Sequence, residues 1–168
     1  MKKVLVFAFV ASLAIVSQAV SFSWSISNIK SGGSNMPKGS FIAYVFADSV
    51  YDYDTAVAAA AAGTLDVSKA LDSSTGTANG KVLSDSIETD KISAGNQDLY
   101  VIVFDSTTPN TGNYIATSKE RNEVTTVGTA AFGFGSQSGK TWTPIPEPTT
   151  VALLALGLAA LGLKRKVA

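Results

Sequence analysis

Phe22-Ser23-Trp24-Ser25-Ile26 alternates apolar and polar residues, the period of a strand with one buried face. Two later runs lack that alternation. Phe41–Ala47 places Phe41, Ile42, Tyr44, Val45 and Phe46 on both faces, and Leu99–Phe104 does the same with Tyr100, Val101, Ile102 and Val103 between. Strands apolar on both faces belong in the middle of a structure, covered from two sides. Lys81–Ile87 and Asn113–Ser118 predict further strands, and Arg121–Val127 and Ala131–Phe134 weaker ones. Asn79-Gly80, Gly95-Asn96 and Pro109-Asn110-Thr111-Gly112-Asn113 supply the turns between them.

One segment departs from the β pattern. Asp54-Thr55-Ala56-Val57 runs into Ala58–Ala62 and stops at Gly63. Alanine is the best helix former, Asp54 suits the N-cap, and Gly63 suits the position just past the C-terminus. A second short turn is predicted from Asp66 over Val67–Leu71. The predicted fold is all-β: a small antiparallel β-sandwich with a short Ala-rich helical insertion that caps one end or one face of the sheet. It spans residues 20–135. Residues 136–145, with Ser136-Gln137-Ser138-Gly139-Lys140, Pro144 and Trp142, read as a polar, proline-containing linker in which Trp142 is either the last residue of the core or a residue resting at the membrane interface.

The two ends follow different rules. Lys2-Lys3, the apolar run Val4–Val16 and Ser17-Gln18-Ala19 have the order of a secretory signal peptide, with the cut after Ala19. A cut after Ser21 also satisfies the small-residue rule. At the other end stand Pro146-Glu147-Pro148, then Thr149-Thr150, an apolar run Val151–Leu163, and Lys164-Arg165-Lys166. The prolines exclude regular helix or strand at the motif and hold it extended for a processing enzyme. Residues 149–163 are apolar on every side and suit lipid. As a helix those 15 residues measure about 22 Å at ~1.5 Å per residue, short of the roughly 20 residues of a permanent span. The basic trio acts as a stop-transfer signal that stays cytoplasmic.

In this order of blocks, the tail from Pro144 to Ala168 resembles the PEP-CTERM sorting signal of exported bacterial proteins. Thr149-Thr150 stands where common members have Ser-Thr. The resemblance implies processing by an exosortase-type membrane enzyme after a signal peptidase has removed residues 1–19. It also implies a transient stay in the inner membrane, then the cell surface or extracellular matrix of an exopolysaccharide-making bacterium. It carries no fold and no activity for residues 20–135, because such tails follow very different ectodomains.

Composition then narrows the chemistry. The formal net charge is zero. Five of the 13 cations (Lys2, Lys3, Lys164, Arg165, Lys166) and one of the 13 anions (Glu147) belong to the ends. Residues 20–145 therefore keep 8 cations and 12 anions, a net charge of −4. That is no footprint for nucleic acid. The chain has no cysteine and no histidine. It holds no disulfide, Ser-His-Asp triad, thiol nucleophile or zinc site of the usual ligands. No cofactor is expected.

Asp48, Asp52 and Asp54 cluster around Tyr51 and Tyr53. They are weak candidates for Ca²⁺, which prefers oxygen ligands, but their spacing is not that of an EF-hand. Tyr51, Tyr53, Tyr100 and Tyr114 are candidates for stacking on sugars, with Tyr100 in a core-like strand. Gly133-Phe134-Gly135 follows no nucleotide-binding pattern and suits a bulge or close packing. Two functions from different classes remain. One is an exported, non-catalytic surface or matrix protein, associated with exopolysaccharide. The alternative is a small secreted glycan hydrolase using paired carboxylates, or a carbohydrate-binding module.

Overall fold

The strands with apolar residues on both faces lie at the centre of the fold. A computed structural model of the chain describes residues 19–147. Residues 1–18 of the expected signal peptide 1–19, Pro148, the apolar run 149–163 and Lys164, Arg165 and Lys166 lie outside the described residues. In chain order the strands are β1 (Val20–Ser27), β2 (Lys30–Ser31), β3 (Ser34–Asn35), β4 (Ile42–Ala47), β5 (Asp72–Thr75), β6 (Val82–Thr89), β7 (Gly95–Phe104), β8 (Asn113–Ala116), β9 (Glu120–Val124), β10 (Ala130–Ser136) and β11 (Thr143–Pro144). The helix α1 (Tyr53–Ala61) and a short 3-10 turn (Val67–Lys69) fall between β4 and β5. Among the described residues no helix is long and apolar enough to cross a membrane.

β10-β1-β6 form a three-stranded sheet, and β11-β8-β7-β4-β5 a larger one in which β9 also pairs with β7. The alternating face of β1 turns Phe22, Trp24 and Ile26 inward against Val45 of β4 and Leu99, Val101 and Val103 of β7. Phe132 and Phe134 of β10 complete this inter-sheet core. The opposite face of the large sheet carries Tyr44, Phe46, Tyr100, Ile102 and Phe104, and α1 covers it with Ala56 and Ala60. Alanines at the contact let the helix lie close to the aromatic layer. The insertion thus covers a face of the sheet, and β4 and β7 are apolar on both sides because each side has a partner layer.

Two details depart from the expected antiparallel sandwich with Asp54 as cap. β10 runs parallel to β1, with Trp24 opposite Phe132. All the chain from β2 to β9 lies between β1 and β10, and so long a return permits parallel pairing where a hairpin does not. The N-cap of α1 is Asp52, whose Oδ1 accepts from Thr55 N at 2.9 Å and from Thr55 Oγ1 at 2.7 Å. Asp54 lies in the first turn, exposed. Gly63 takes a φ of +68°. Gly63 N donates to Ala60 O and Thr64 N to Ala59 O, the pair of bonds that closes a Schellman C-terminus.

One edge of β7 is shared by two strands. Gly95–Leu99 pairs with β9, and Ile102–Phe104 pairs with β8. The gap between them is closed by Thr117, which is 2 % exposed. Its N–H donates to Val101 O at 2.9 Å, and its Oγ1 accepts from Val101 N at 2.9 Å. The hydroxyl stands in for a missing strand residue. Thr117→Val keeps the shape but strands the Val101 N–H, so it should lower stability by about 1–3 kcal/mol, the cost of a buried unsatisfied donor. Thr117→Ser, which keeps the acceptor, should cost clearly less. Urea denaturation of both variants checks the difference.

Candidate functional site

Of the acidic residues at the end of β4, Asp48 and Asp52 are engaged in the fold and Asp54 is exposed. Asp48 Oδ1 accepts from Tyr53 N at 2.8 Å, and Oδ2 pairs with Lys119 Nζ at 3.1 Å. That bond raises the Lys119 pKa. Asp52 is occupied as the helix cap, and the Thr55 hydroxyl and N–H hold its carboxyl below the usual carboxylate range. Among the described residues no group of three or more Asp, Glu, His or Cys stands together as metal ligands. The oxygens of Asp48 and Asp52 position the start of α1 instead.

The four tyrosines also converge, on the covered face of the large sheet. Tyr100 is 0 % exposed, and its hydroxyl donates to Tyr51 O at 2.7 Å. Burial pushes its pKa up. Tyr53 meets Tyr100 edge-on at 5.1 Å, and its hydroxyl donates to Thr117 O at 3.0 Å. Tyr51 and Tyr114 are buried as well. Tyr51, Tyr100 and Tyr114 are thus buried in the layer beneath α1, and Tyr53 is half-buried against it.

The exit of the chain from the domain is the remaining candidate. Segment 136–145, expected as a linker, docks along the domain. Gln137 is buried, and its N–H donates to Ser27 O at 2.9 Å. Trp142 packs against the inter-sheet core, and its Nε1 donates to Lys30 O. β11 then adds to the edge of β8, with Thr143 opposite Tyr114 and Pro144 opposite Asn113. Ile145 N donates to Gly112 O at 2.9 Å. The Ile145 side chain is buried with the layer beneath α1, and a Cβ added to Gly63 would sit 2.9 Å from its Cγ2. Gly63 therefore serves twice: its positive φ closes the helix, and its missing side chain seats Ile145. Gly112, also at positive φ, leaves no room for a Cβ beside Asp105, which caps the following turn by accepting from Asn113 N at 2.6 Å. Directly beyond this seat, Pro146 and Glu147 are exposed.

Residues 144–166 match the family described as the PEP-CTERM protein-sorting motif. The chain carries a PEP-CTERM sorting signal. The matched residues include Pro146, Glu147, Pro148, Lys164, Arg165 and Lys166. No curated protein and no solved structure matches the chain. A PEP-CTERM motif supports export and sorting toward the cell surface, with processing by exosortase, a membrane enzyme. The motif begins where the fold ends, at a residue already paired to β8. Sequence reasoning located the motif but missed its seat. The only local signal was the apolar Ile145 between two prolines.

Docking of 142–145 has a measurable consequence. Burying an isoleucine is worth about 1.5–3 kcal/mol, and Trp142 adds to it. A domain of residues 20–145 should therefore be more stable than one of residues 20–140 by about 2–4 kcal/mol. Both should unfold cooperatively and ignore reductant, since there is no cysteine. Urea melts of the two fragments decide this.

Proposed function

We propose that this is an exported, non-catalytic surface or extracellular-matrix protein, sorted through its PEP-CTERM tail and associated with exopolysaccharide. The observation that carries the reading is the position of the motif. Among the described residues Ile145 is the last that is buried, and Pro146 and Glu147, which follow it, are exposed. Glu147 is thus free of the domain's core, which supports its use as part of a sorting signal. The non-catalytic reading is supported by the chain's lack of histidine and cysteine and by the structural use of Asp48 and Asp52.

In this reading the signal peptidase cuts after Ala19. Val20 is 0 % exposed and lies opposite Thr89 in β1. A cut there leaves the whole strand, whereas a cut after Ser21 would remove a buried valine and the Ser21 N–H bond to Thr125 O. The tail then holds the protein in the inner membrane until it is processed. N-terminal sequencing of the exported form should begin at Val20.

The sorting reading is tested in a host with a working exosortase. The full chain should be processed and recovered at the surface or in the matrix. A chain ending at Ile145 should be released without that step. Identical fates for the two would overturn the reading. Release of new reducing ends from the host's exopolysaccharide by the purified domain would instead establish the glycan hydrolase.

A further inference from the structure

The fold and the sorting motif compete for the same stretch of backbone. The matched residues start at Pro144, yet Pro144 lies in β11 opposite Asn113. Ile145 is fixed by its N–H bond to Gly112 O and by burial at 8 % exposure. Only Pro146 separates that anchor from Glu147. Two residues of extended chain reach about 7 Å. Recognition of an extended peptide by strand addition draws its affinity from main-chain hydrogen bonds, and here the main chain on the N-terminal side of Glu147 is held by the domain itself.

We infer that Thr143–Ile145 is a latch. While it is docked on β8 and against Gly63, the main chain on the N-terminal side of the exposed Pro146-Glu147 is held by the domain; the enzyme takes the tail only after the latch has left its seat. This inference rests on the sorting reading above. The latch has the features of a segment that can leave without unfolding the rest. β11 is two residues long and is the outermost strand of its sheet. Pro144 has no N–H to give to a ladder. The hold is concentrated in one side chain, Ile145, and in Trp142 upstream. Peeling 143–145 exposes the edge of β8 and leaves β7 and β4 paired.

A cross-link tests this without changing the motif. Thr143 and Tyr114 are direct partners across an antiparallel pair, a separation that a disulfide spans. With no native cysteine, Thr143→Cys with Tyr114→Cys can form only that bridge. In pulse-chase experiments with full-length chains in an exosortase-bearing host, the bridged protein should lose the processed band, and reductant should restore it. Inserting a short Gly-Ser stretch between Ile145 and Pro146 of the bridged chain should also restore processing, because the motif then clears the domain while the latch stays shut. Processing of the bridged chain at the unmodified rate would overturn the latch. So would a bridged chain that remains uncut despite the insertion, since slack is then not what the enzyme lacks. If the unmodified chain itself is never processed, the sorting reading falls, and the latch with it.

Discussion

A domain carrying Val101→Asp is expected to be unfolded in aqueous buffer. Val101 is 0 % exposed at the middle of β7, between the two sheets. Its neighbours there are the aliphatic and aromatic side chains of β1, β4 and β10; the indole N–H of Trp24 among them is already given to Asp72 Oδ2 at 2.8 Å. Ionised, the new group would stand desolvated without a partner. Protonated, it would still lack hydrogen bonds. Either state costs several kcal/mol, against a net stability of roughly 5–15 kcal/mol for a domain. Val45→Asp faces the same core from β4 and should behave alike. Leu83→Asp is the control: Leu83 is 60 % exposed on β6, and its replacement should leave the fold intact. Far-UV circular dichroism of the three variants, expressed as residues 20–145, separates these outcomes. A folded, cooperatively melting Val101→Asp domain would show that this core is not where the stability resides.

Glu147→Ala or Pro148→Ala should abolish tail processing while leaving signal-peptide removal and the fold unchanged. Glu147 is exposed, so its loss removes nothing from the domain's core. What it removes is the charge held between two prolines, which a processing enzyme can read together with the extended shape they impose. The variants should accumulate uncut in the inner membrane, held by the run 149–163. Replacing Lys164, Arg165 and Lys166 by serine should act differently. The apolar run is short, and without cations behind it stop-transfer weakens, so this variant should pass through the membrane rather than accumulate in it. Fractionation with an antibody against the domain distinguishes the two behaviours. Unchanged size and location of the Glu147 variant, in a host that processes other such tails, would mean that the match is compositional only.

The elements that were legible in the chain share a property: their signals lie within a few residues of one another. β1 announces itself by period-two alternation, β4 and β7 by apolar residues on both faces, and α1 by an alanine run between an acidic residue and Gly63. The sorting motif is likewise a contiguous string. Even here the local code was loose by a step, because the cap expected at Asp54 is Asp52. Asp52 wins since its side chain reaches Thr55 N while Asp48 reaches Tyr53 N from outside the helix.

The sequence by itself determined that the chain is a β-rich domain followed by a PEP-CTERM sorting signal, with β4 and β7 at its centre. Hydrophobic period and proline placement act locally and need no partner to be read. Only the tertiary structure decided which distant segments meet. Asp72–Thr75, a polar stretch without alternation, is a strand because β4 offers it a ladder from Ile42 to Val45. β10 can run parallel to β1 because all the chain from β2 to β9 lies between them. Thr117 is a buried bridge because β8 and β9 leave a gap beside Val101. Segment 142–145 is docked rather than free because Gly63 and Gly112, 82 and 33 residues from Ile145, leave a seat that its side chain and its N–H fill. Backbone hydrogen bonds and burial are satisfied by whichever partner the fold brings near, and that choice is not written in any neighbouring residue.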